Sequence, residues 1–533
     1  MCGLLRYEAG RFAIERGGFM LQIKNLSIIH NKDLKTLIDD FSFVLNPGDK
    51  AVIIGEEGNG KSTLLKWIYD PEIVEDYSDC SGERIIHNER LGYLPQELSD
   101  ADKDKTVCEF FMESNLFSEK SPKDLNRLAA QLSLDADIYY SGQVMASLSG
   151  GEKIKVQLLR LLLDEPTALL LDEPSNDIDL KTLEWLEDFI NSFPGIVLFI
   201  SHDAVLIERT ANVVIHIEQV RRKTVSRCTV KRTTFAEYVS MRNANLRNQE
   251  IIALNQRREA KIQEEKFRRI YQKIESAQNN VSRQDPHSGR LLKKKMHAAK
   301  SLEHRYEREK EEMAEIPDLE EAMYIRFGGS SAIPAGKTVL DLSIDQLMCP
   351  DGTRVLATDI NLFIRGSEKV CIIGENGTGK STLIKVIADM LLSRADLRAM
   401  YMPQNYSDII DDRLTPVDYL SVTFDKEEQT RIRTYLGSMK YTADEMDHRI
   451  AELSGGQKAK LILLKLSMSD ANVLILDEPT RNLSPLSGPV VRQALRNFPG
   501  AIISVSHDRK FMSEVCGTIY ELTSNGLKKQ KEE

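Results

Sequence analysis

The run Ala51 to Ile54 is apolar and short, and it passes directly into Gly55-Glu-Glu-Gly-Asn-Gly60-Lys61-Ser62-Thr63. A buried strand, a glycine-rich loop and a helix opening on Lys-Ser admit few folds, because this combination belongs to parallel α/β sheets that bind phosphate at a strand end. Each residue type has a task there. Gly55, Gly58 and Gly60 let backbone N–H groups curl around phosphate oxygens, and the helix N-terminus adds partial positive charge. Lys61 reaches the outer phosphates and Ser62 can ligate magnesium.

Three further elements follow in the first half. Ala168 to Leu171 ends in Asp172 and Glu173, so a strand buried on both faces delivers two carboxylates beside the phosphate loop. Asp172 is suited to magnesium and Glu173 to polarising an attacking water. A near copy, Leu163 to Pro166, is rejected because Arg160 to Leu163 reads as the end of the helix that follows Ser149. His202 closes another apolar strand, Ile196 to Ile200, within reach of a terminal phosphate. The stretch Leu148-Ser149-Gly150-Gly151-Glu152 offers a second phosphate cradle at a helix start. The loop from Gly55 needs no second cradle, so this one is expected to serve another nucleotide.

The order then repeats: Gly374, Gly377, Gly379, Lys380, Ser381 and Thr382; Gln404, matching Gln96; Ser454, Gly455 and Gly456; Asp477 and Glu478; and His507. Gln96 to Ser149 is 53 positions and Gln404 to Ser454 is 50. Five elements in register are an internal duplication.

Between the halves, Arg242 to Lys310 repeats nothing and holds 18 Lys/Arg against nine Asp/Glu. The whole chain carries −10, so the positive charge is concentrated here. Apolar residues at helical spacing (Phe267, Ile270, Tyr271, Ile274, then Met296, Ala299, Leu302, Tyr306) predict two antiparallel helices zipped along one stripe. The breakers Asp285, Pro286, His287, Ser288 and Gly289 predict the turn. Around it cluster Arg283, Arg290, Lys293, Lys294, Lys295 and Lys300, a tip suited to RNA phosphate. Charge runs on long helices are usually solvated faces; the flanking motifs favour the RNA reading here.

No apolar run approaches the ~20 residues that span a bilayer. Cys2, Cys80, Cys108, Cys228, Cys349, Cys371 and Cys516 form no CxxC pair, which argues against a zinc site or a disulfide framework and fits a reducing cytosol. Residues 1–19 are expected to be untranslated or disordered. Met20 is the expected initiator, since Glu15-Arg16-Gly17-Gly18 can be encoded by a purine-rich ribosome-binding sequence.

Phosphate loop, glutamine loop, signature, paired carboxylates and histidine switch, twice over, resemble two ATP-binding cassettes. With a basic hairpin between them, the chain resembles the ABC-F family of translation factors. The resemblance implies an α/β fold of two tandem cassettes, residues 20–234 and 319–533, joined by a long antiparallel helical hairpin, residues 235–318, with its basic tip near 277–294. It also implies head-to-tail closure on two ATP molecules with Mg2+. One site would combine Lys61, Ser62, Gln96, Asp172, Glu173 and His202 with Ser454 and Gly456. The other would combine Lys380, Ser381, Gln404, Asp477, Glu478 and His507 with Ser149 and Gly151.

Family partners are the bacterial ribosome, through large-subunit RNA and exit-site tRNA, with no membrane partner. A cytoplasmic monomer with intramolecular cassette pairing is expected. Glu478-Pro-Thr-Arg-Asn-Leu-Ser-Pro-Leu-Ser487 resembles the antibiotic-resistance members of the Lsa and Vga type, which protect ribosomes from lincosamides, pleuromutilins and streptogramins A. The alternatives are a housekeeping translation factor, the ATPase subunit of a drug exporter, and a DNA-repair ATPase. The exporter design has no place for the hairpin, and the repair enzymes use much longer coiled coils or zinc clusters. After the carboxylates the family usually continues Thr-Asn-His-Leu-Asp. Here Asp177 stands in the first loop, and the second ends on Ser484 in place of aspartate, so unequal sites are expected.

Overall fold

The computed structural model describes residues 20–87, 89–114, 116–220, 223–279, 286–311, 325, 327, 331–349, 352 and 354–530. Residues 1–19 and Arg283 lie outside them. Two compact units emerge, one from Met1–Ala236 with Glu320–Glu533, the other from Glu237–Leu319. Both cassettes therefore belong to a single unit.

Each half builds the same six-stranded sheet. In the first the order is Leu91–Leu94, Ala168–Asp172, Ile196–Ile200, Lys50–Ile54, Val213–Val220, Val225–Lys231. In the second it is Ala399–Met402, Val473–Asp477, Ala501–Val505, Lys369–Ile373, Thr518–Thr523, Gly526–Lys529. The first five strands of each run parallel and the last is antiparallel. Every residue of the strands ending in Asp172, Ile200, Asp477 and Val505 is buried, as continuous apolar runs in a covered parallel sheet require. Their carboxyl ends lie at the edge where the phosphate loops begin, which sets the place of the site.

Antiparallel strands complete each cassette. The first has three, ordered Thr36–Leu45, Met20–His30, Ser78–His87, and the second has two among the described residues, Thr338–Met348 and Val355–Arg365. The difference follows from the chain. Between the phosphate-loop helix Lys61–Tyr69 and the strand Leu91–Leu94 it inserts Ser78–His87, whereas Lys380–Leu392 runs almost directly into Ala399–Met402.

The smaller unit holds two helices, Phe235–Asn279 and Pro286–Glu311. Phe267 meets Tyr306 edge-on with ring centroids 6.2 Å apart, and Ala299 is buried. Two parts of the expectation change. Ile270 is 49% exposed and lies off the zipped stripe. Pro286 to Gly289 belong to the first turn of the second helix, not to the turn between helices, because proline at the first helical position gives up an N–H that would have no intrahelical partner. Arg290, Lys293, Lys294, Lys295 and Lys300 are exposed on that helix. No described helix is long and apolar enough to cross a membrane.

Candidate functional site

Two phosphate loops are built alike. Gly60 and Gly379 take left-handed conformations, φ 86° and 93°, immediately before the helices Lys61–Tyr69 and Lys380–Leu392, a geometry that strains any side chain. The Lys61 ammonium donates to the carbonyls of Gly55 at 3.0 Å and Glu56 at 3.1 Å, and Lys380 donates to Gly374 at 2.8 Å and Glu375 at 2.9 Å. Both lysines are buried, which pushes their pKa down, while Glu173 and Glu478 respectively pull in the opposite direction. Thr63 turns to the Tyr77 hydroxyl.

The carboxylates stand where the strands end. Ser62 donates to Asp172 at 3.0 Å, and Ser381 faces Asp477 in the same way. Burial pushes both aspartates up to about 6. Glu173 and Glu478 share φ 51°, a left-handed turn that swings each carboxyl out of the strand direction. Leu163 ends its helix, Asp164 caps it and Glu165 follows in a left-handed turn, φ 50°, so the near-copy motif marks a helix end.

The two glutamates then part company. His202 Nε2 lies 2.9 Å from Glu173 Oε1, and burial, which would raise the Glu173 pKa, is outweighed by His202 and Lys61, so it stays below the usual value. His507 Nε2 is 3.9 Å from Glu478 Oε1, beyond a hydrogen bond. Burial and then the charge of Asp477 push Glu478 up to about 8, and burial brings His507 down to about 4. Among the described residues Asp477 Oδ1, Glu478 Oε1 and His507 Nδ1 are buried with no hydrogen-bond partner. A carboxylate oxygen left bare beside a serine hydroxyl and a phosphate loop suits Mg2+, which takes one or two protein oxygens and completes its shell from phosphate and water. There is no group of three or more His, Cys, Asp or Glu among the described residues that could hold a metal unaided.

The signature helices Gly150–Leu163 and Gly455–Met468 start with reciprocal capping boxes. Ser149 pairs with Glu152, and Ser454 with Gln457, so both serine side chains are engaged by their own helices, and the glycine N–H groups of the first turn have no intrahelical acceptor.

Contacts across the two halves make the sites composite. A cavity of about 710 Å3 is lined by Ser149 and Gly150 from the first cassette and by Lys380, Ser381, Thr382, Gln404, Asp477, Glu478 and His507 from the second. At the other phosphate loop, Gly456 N–H donates to Glu57. His202 Nδ1 lies 2.8 Å from the Leu483 carbonyl, Asn376 donates to the Asp177 carbonyl at 2.5 Å, and Arg481 pairs with Asp177 at 2.8 Å. Gln96 is exposed, just past the strand Leu91–Leu94.

Two more links lie away from the phosphate loops. The helices Ala204–Thr210 and Arg509–Val515 pack together, with Arg509 on Glu187 and Lys510 on Glu208 at 2.5 Å. Lys460, itself buried, donates to Glu56 at 2.9 Å, with Lys440 at 3.8 Å. Burial alone would raise the Glu56 pKa; Lys460 and Lys440 overcome it and hold the carboxyl at about 2. A lowered carboxyl stabilises above its ordinary value and loses that contribution as pH falls toward 2. Glu56→Gln is therefore expected to cost about 2–3 kcal/mol at neutral pH, read as a lower calorimetric melting temperature. An unchanged melt would remove the pair from the stabilising contacts.

Asp179, Arg354 and Glu57 are absent from the residues expected from sequence. Asp179 caps the helix Leu180–Ser192 and its charge is felt at Lys380 and His507, so it serves the second phosphate loop. Ser484 gives no such charge. Arg354 and Leu356 also line the cavity. Arg354 precedes Gly374 by 20 positions, as Lys35 precedes Gly55, so overlaying the repeats would have found it.

The family model described as ABC transporter matches residues 38–176 and 357–481, one span per cassette. ABC transporter F family member 5 of Arabidopsis thaliana is 27% identical over 92% of this chain and 73% of its own length. The putative ATP-binding protein YdiF of Bacillus subtilis is 26% identical over 95% and 80%. The probable ATP-binding protein YheS of Escherichia coli is 26% identical over 94% and 78%. These alignments run through both cassettes and the segment between them.

This chain is an ABC-F family ATP-binding protein.

As such it is an ATPase, with ATP held by two cassettes. Among solved structures, the ABC-F chain overlays the archaeal ribosome recycling factor aABCE1, crystallised with the stalk protein aP1, at TM-score 0.53 and 17% identity over 93% of this chain and 87% of that one. A ribosome-bound archaeal Pelota and ABCE1 structure overlays at 0.51 and 16%, over 95% and 78%. Both likenesses establish the tandem-cassette fold.

Proposed function

We propose that this ABC-F protein is a ribosome-binding ATPase that shields the peptidyl-transferase centre and exit tunnel from lincosamides, pleuromutilins and streptogramins A, its hairpin entering the exit site. The observation that carries the reading is a hairpin with Arg290, Lys293, Lys294, Lys295 and Lys300 exposed on one arm, joined to tandem cassettes. Arg283, expected from the sequence to join them, lies outside the described residues. The segment from Glu478 to Ser487 supports the drug-protecting branch. Tandem-cassette relatives described as a ribosome recycling factor and as ribosome-bound support the choice of ribosome over membrane.

In this mechanism Lys61 and Lys380 bind the outer phosphates, and the N–H groups of Gly150 and Gly151, or Gly455 and Gly456, meet the same phosphate from the facing cassette. Nucleotide selects the closed state because it touches both halves. Glu173 and Glu478 accept the proton of the attacking water, His202 orients Glu173 through its 2.9 Å contact, and His507 serves the terminal phosphate at the second site. Mg2+, held by Ser62, Gln96 and Asp172 or by Ser381, Gln404 and Asp477, would neutralise phosphate charge. Hydrolysis removes the bridge and releases the hairpin.

Cosedimentation tests this. The Glu173→Gln, Glu478→Gln variant should pellet with bacterial ribosomes only when ATP is present; folded, ATP-bound protein left in the supernatant would sink the ribosomal reading. Lys293, Lys294 and Lys295 changed together to Ala should flatten the log–log salt dependence by roughly 0.7–0.9 for each RNA phosphate no longer neutralised, while basal ATP turnover persists. The alternative is a housekeeping role in relieving stalled ribosomes. Expression in a sensitive host separates the two, since unchanged tolerance of all three drug classes leaves the housekeeping role.

A further inference from the structure

The two phosphate loops differ at one position that faces the opposite cassette. Glu57 occupies the third place of the first loop and Asn376 the third place of the second. Asn376 has an N–H to give, and it donates across the interface to the Asp177 carbonyl at 2.5 Å. A carboxylate has none. Glu57 instead accepts the Gly456 N–H at the start of the helix Gly455–Met468. The approach is close enough that a Cβ on Gly455 would meet Glu57 Oε1 at 3.3 Å, and one on Gly456 would meet Oε2 at 3.0 Å.

An anion at this place already has what a terminal phosphate would seek. The N–H groups of the first helical turn have no intrahelical acceptor, and they attract negative charge. Glu57 is also felt at Lys61, where its charge opposes the lowering that burial imposes on the ammonium. The rest of its side chain is open to solvent, and the carboxylate can leave without unpacking a core. It is thus a displaceable occupant. At the second loop the corresponding cleft is the cavity lined by Ser149, Gly150 and Lys380, and Asn376 borders it with no charge.

We infer that Glu57 is a specificity-determining residue, standing in for a terminal phosphate on the Gly456 N–H, so that the first site takes a nucleoside diphosphate readily and a triphosphate only by displacing it. The inference rests on the composite sites proposed above. A diphosphate need not reach Gly456, and Glu57 leaves its binding intact. A triphosphate must expel a like charge and take over its hydrogen bond. The second site, with Asn376, makes no such distinction, and the protein carries one discriminating and one permissive site.

The test is calorimetric titration of the full chain carrying Glu173→Gln and Glu478→Gln, with MgATP and separately with MgADP. Two ATP affinities are expected, one weak and one tight. Adding Glu57→Asn should tighten the weak ATP site by roughly ten- to a hundredfold, the range for a hydrogen bond to a charged group, and leave ADP binding as it was. Asn376→Glu should weaken the tight ATP site in turn. Glu57→Gln, closer in size to the parent, should follow Glu57→Asn and guards against a folding defect in the shorter side chain. Two equal ATP sites in the parent, or an ATP-to-ADP affinity ratio unmoved by either Glu57 variant, would overturn the assignment. Absence of ATP binding in folded parent would overturn the composite sites themselves, and this inference with them.

Discussion

Glu173→Gln combined with Glu478→Gln is expected to reduce steady-state phosphate release by roughly a hundred- to ten-thousandfold while ATP still binds, the range over which a positioned general base contributes. Both glutamates are turned out of buried strands by the same left-handed φ, and a glutamine there keeps size and packing. What it loses is the capacity to accept a proton. Their surroundings differ, since Glu173 has the His202 imidazole at 2.9 Å, whereas the His507 imidazole stands 3.9 Å from Glu478, which accepts instead from the His507 backbone N–H and the Ser506 hydroxyl at 3.3 Å. The single variants are therefore expected to be unequal, with Glu173→Gln losing more. Turnover close to the parent in the double variant would refute the assignment of these residues as bases.

The second large effect is steric. A Cβ on Gly150 would lie 1.9 Å from the Asp177 carbonyl oxygen, and that oxygen is the one Asn376 reaches from the other cassette. Gly150→Ala must push the signature helix away from the loop that holds Asp177, and overpacking of this kind costs about 1–3 kcal/mol. The displacement falls on the surface that the facing cassette uses. ATP-dependent closure, followed by small-angle scattering or by cross-linking across the halves, should be lost while the variant stays folded. Closure that persists in Gly150→Ala would show that this loop is not needed to bring the halves together.

Much of this organisation is legible in the chain because duplication makes each motif a control for the other. The buried strands ending in Asp172 and Asp477 could be placed from their continuous apolar runs, and the surplus glycine cradles at Ser149 and Ser454 imply a partner half. Other features escape for physical reasons. The serines look like phosphate ligands, yet each also satisfies an N–H of its own helix, a local bond that sequence does not rank against a distant ligand. Pro286 looks like a breaker, and only a known helix start shows it as a first-turn residue. Arg354 belongs to no motif, and Glu57 stands at a place the phosphate-loop motif leaves unspecified. They stand out when the two halves are overlaid, because what is informative is the difference between repeats rather than their likeness.

The packing of Ala204–Thr210 against Arg509–Val515 joins equivalent helices of the two halves. Equivalent elements can touch each other only on the pseudo-twofold axis that relates them. The ion pairs of Arg509 with Glu187 and of Lys510 with Glu208 accompany that contact and involve no residue of either phosphate loop. Contacts placed there can hold the halves together whether or not either phosphate loop is filled, because no nucleotide-binding residue takes part in them.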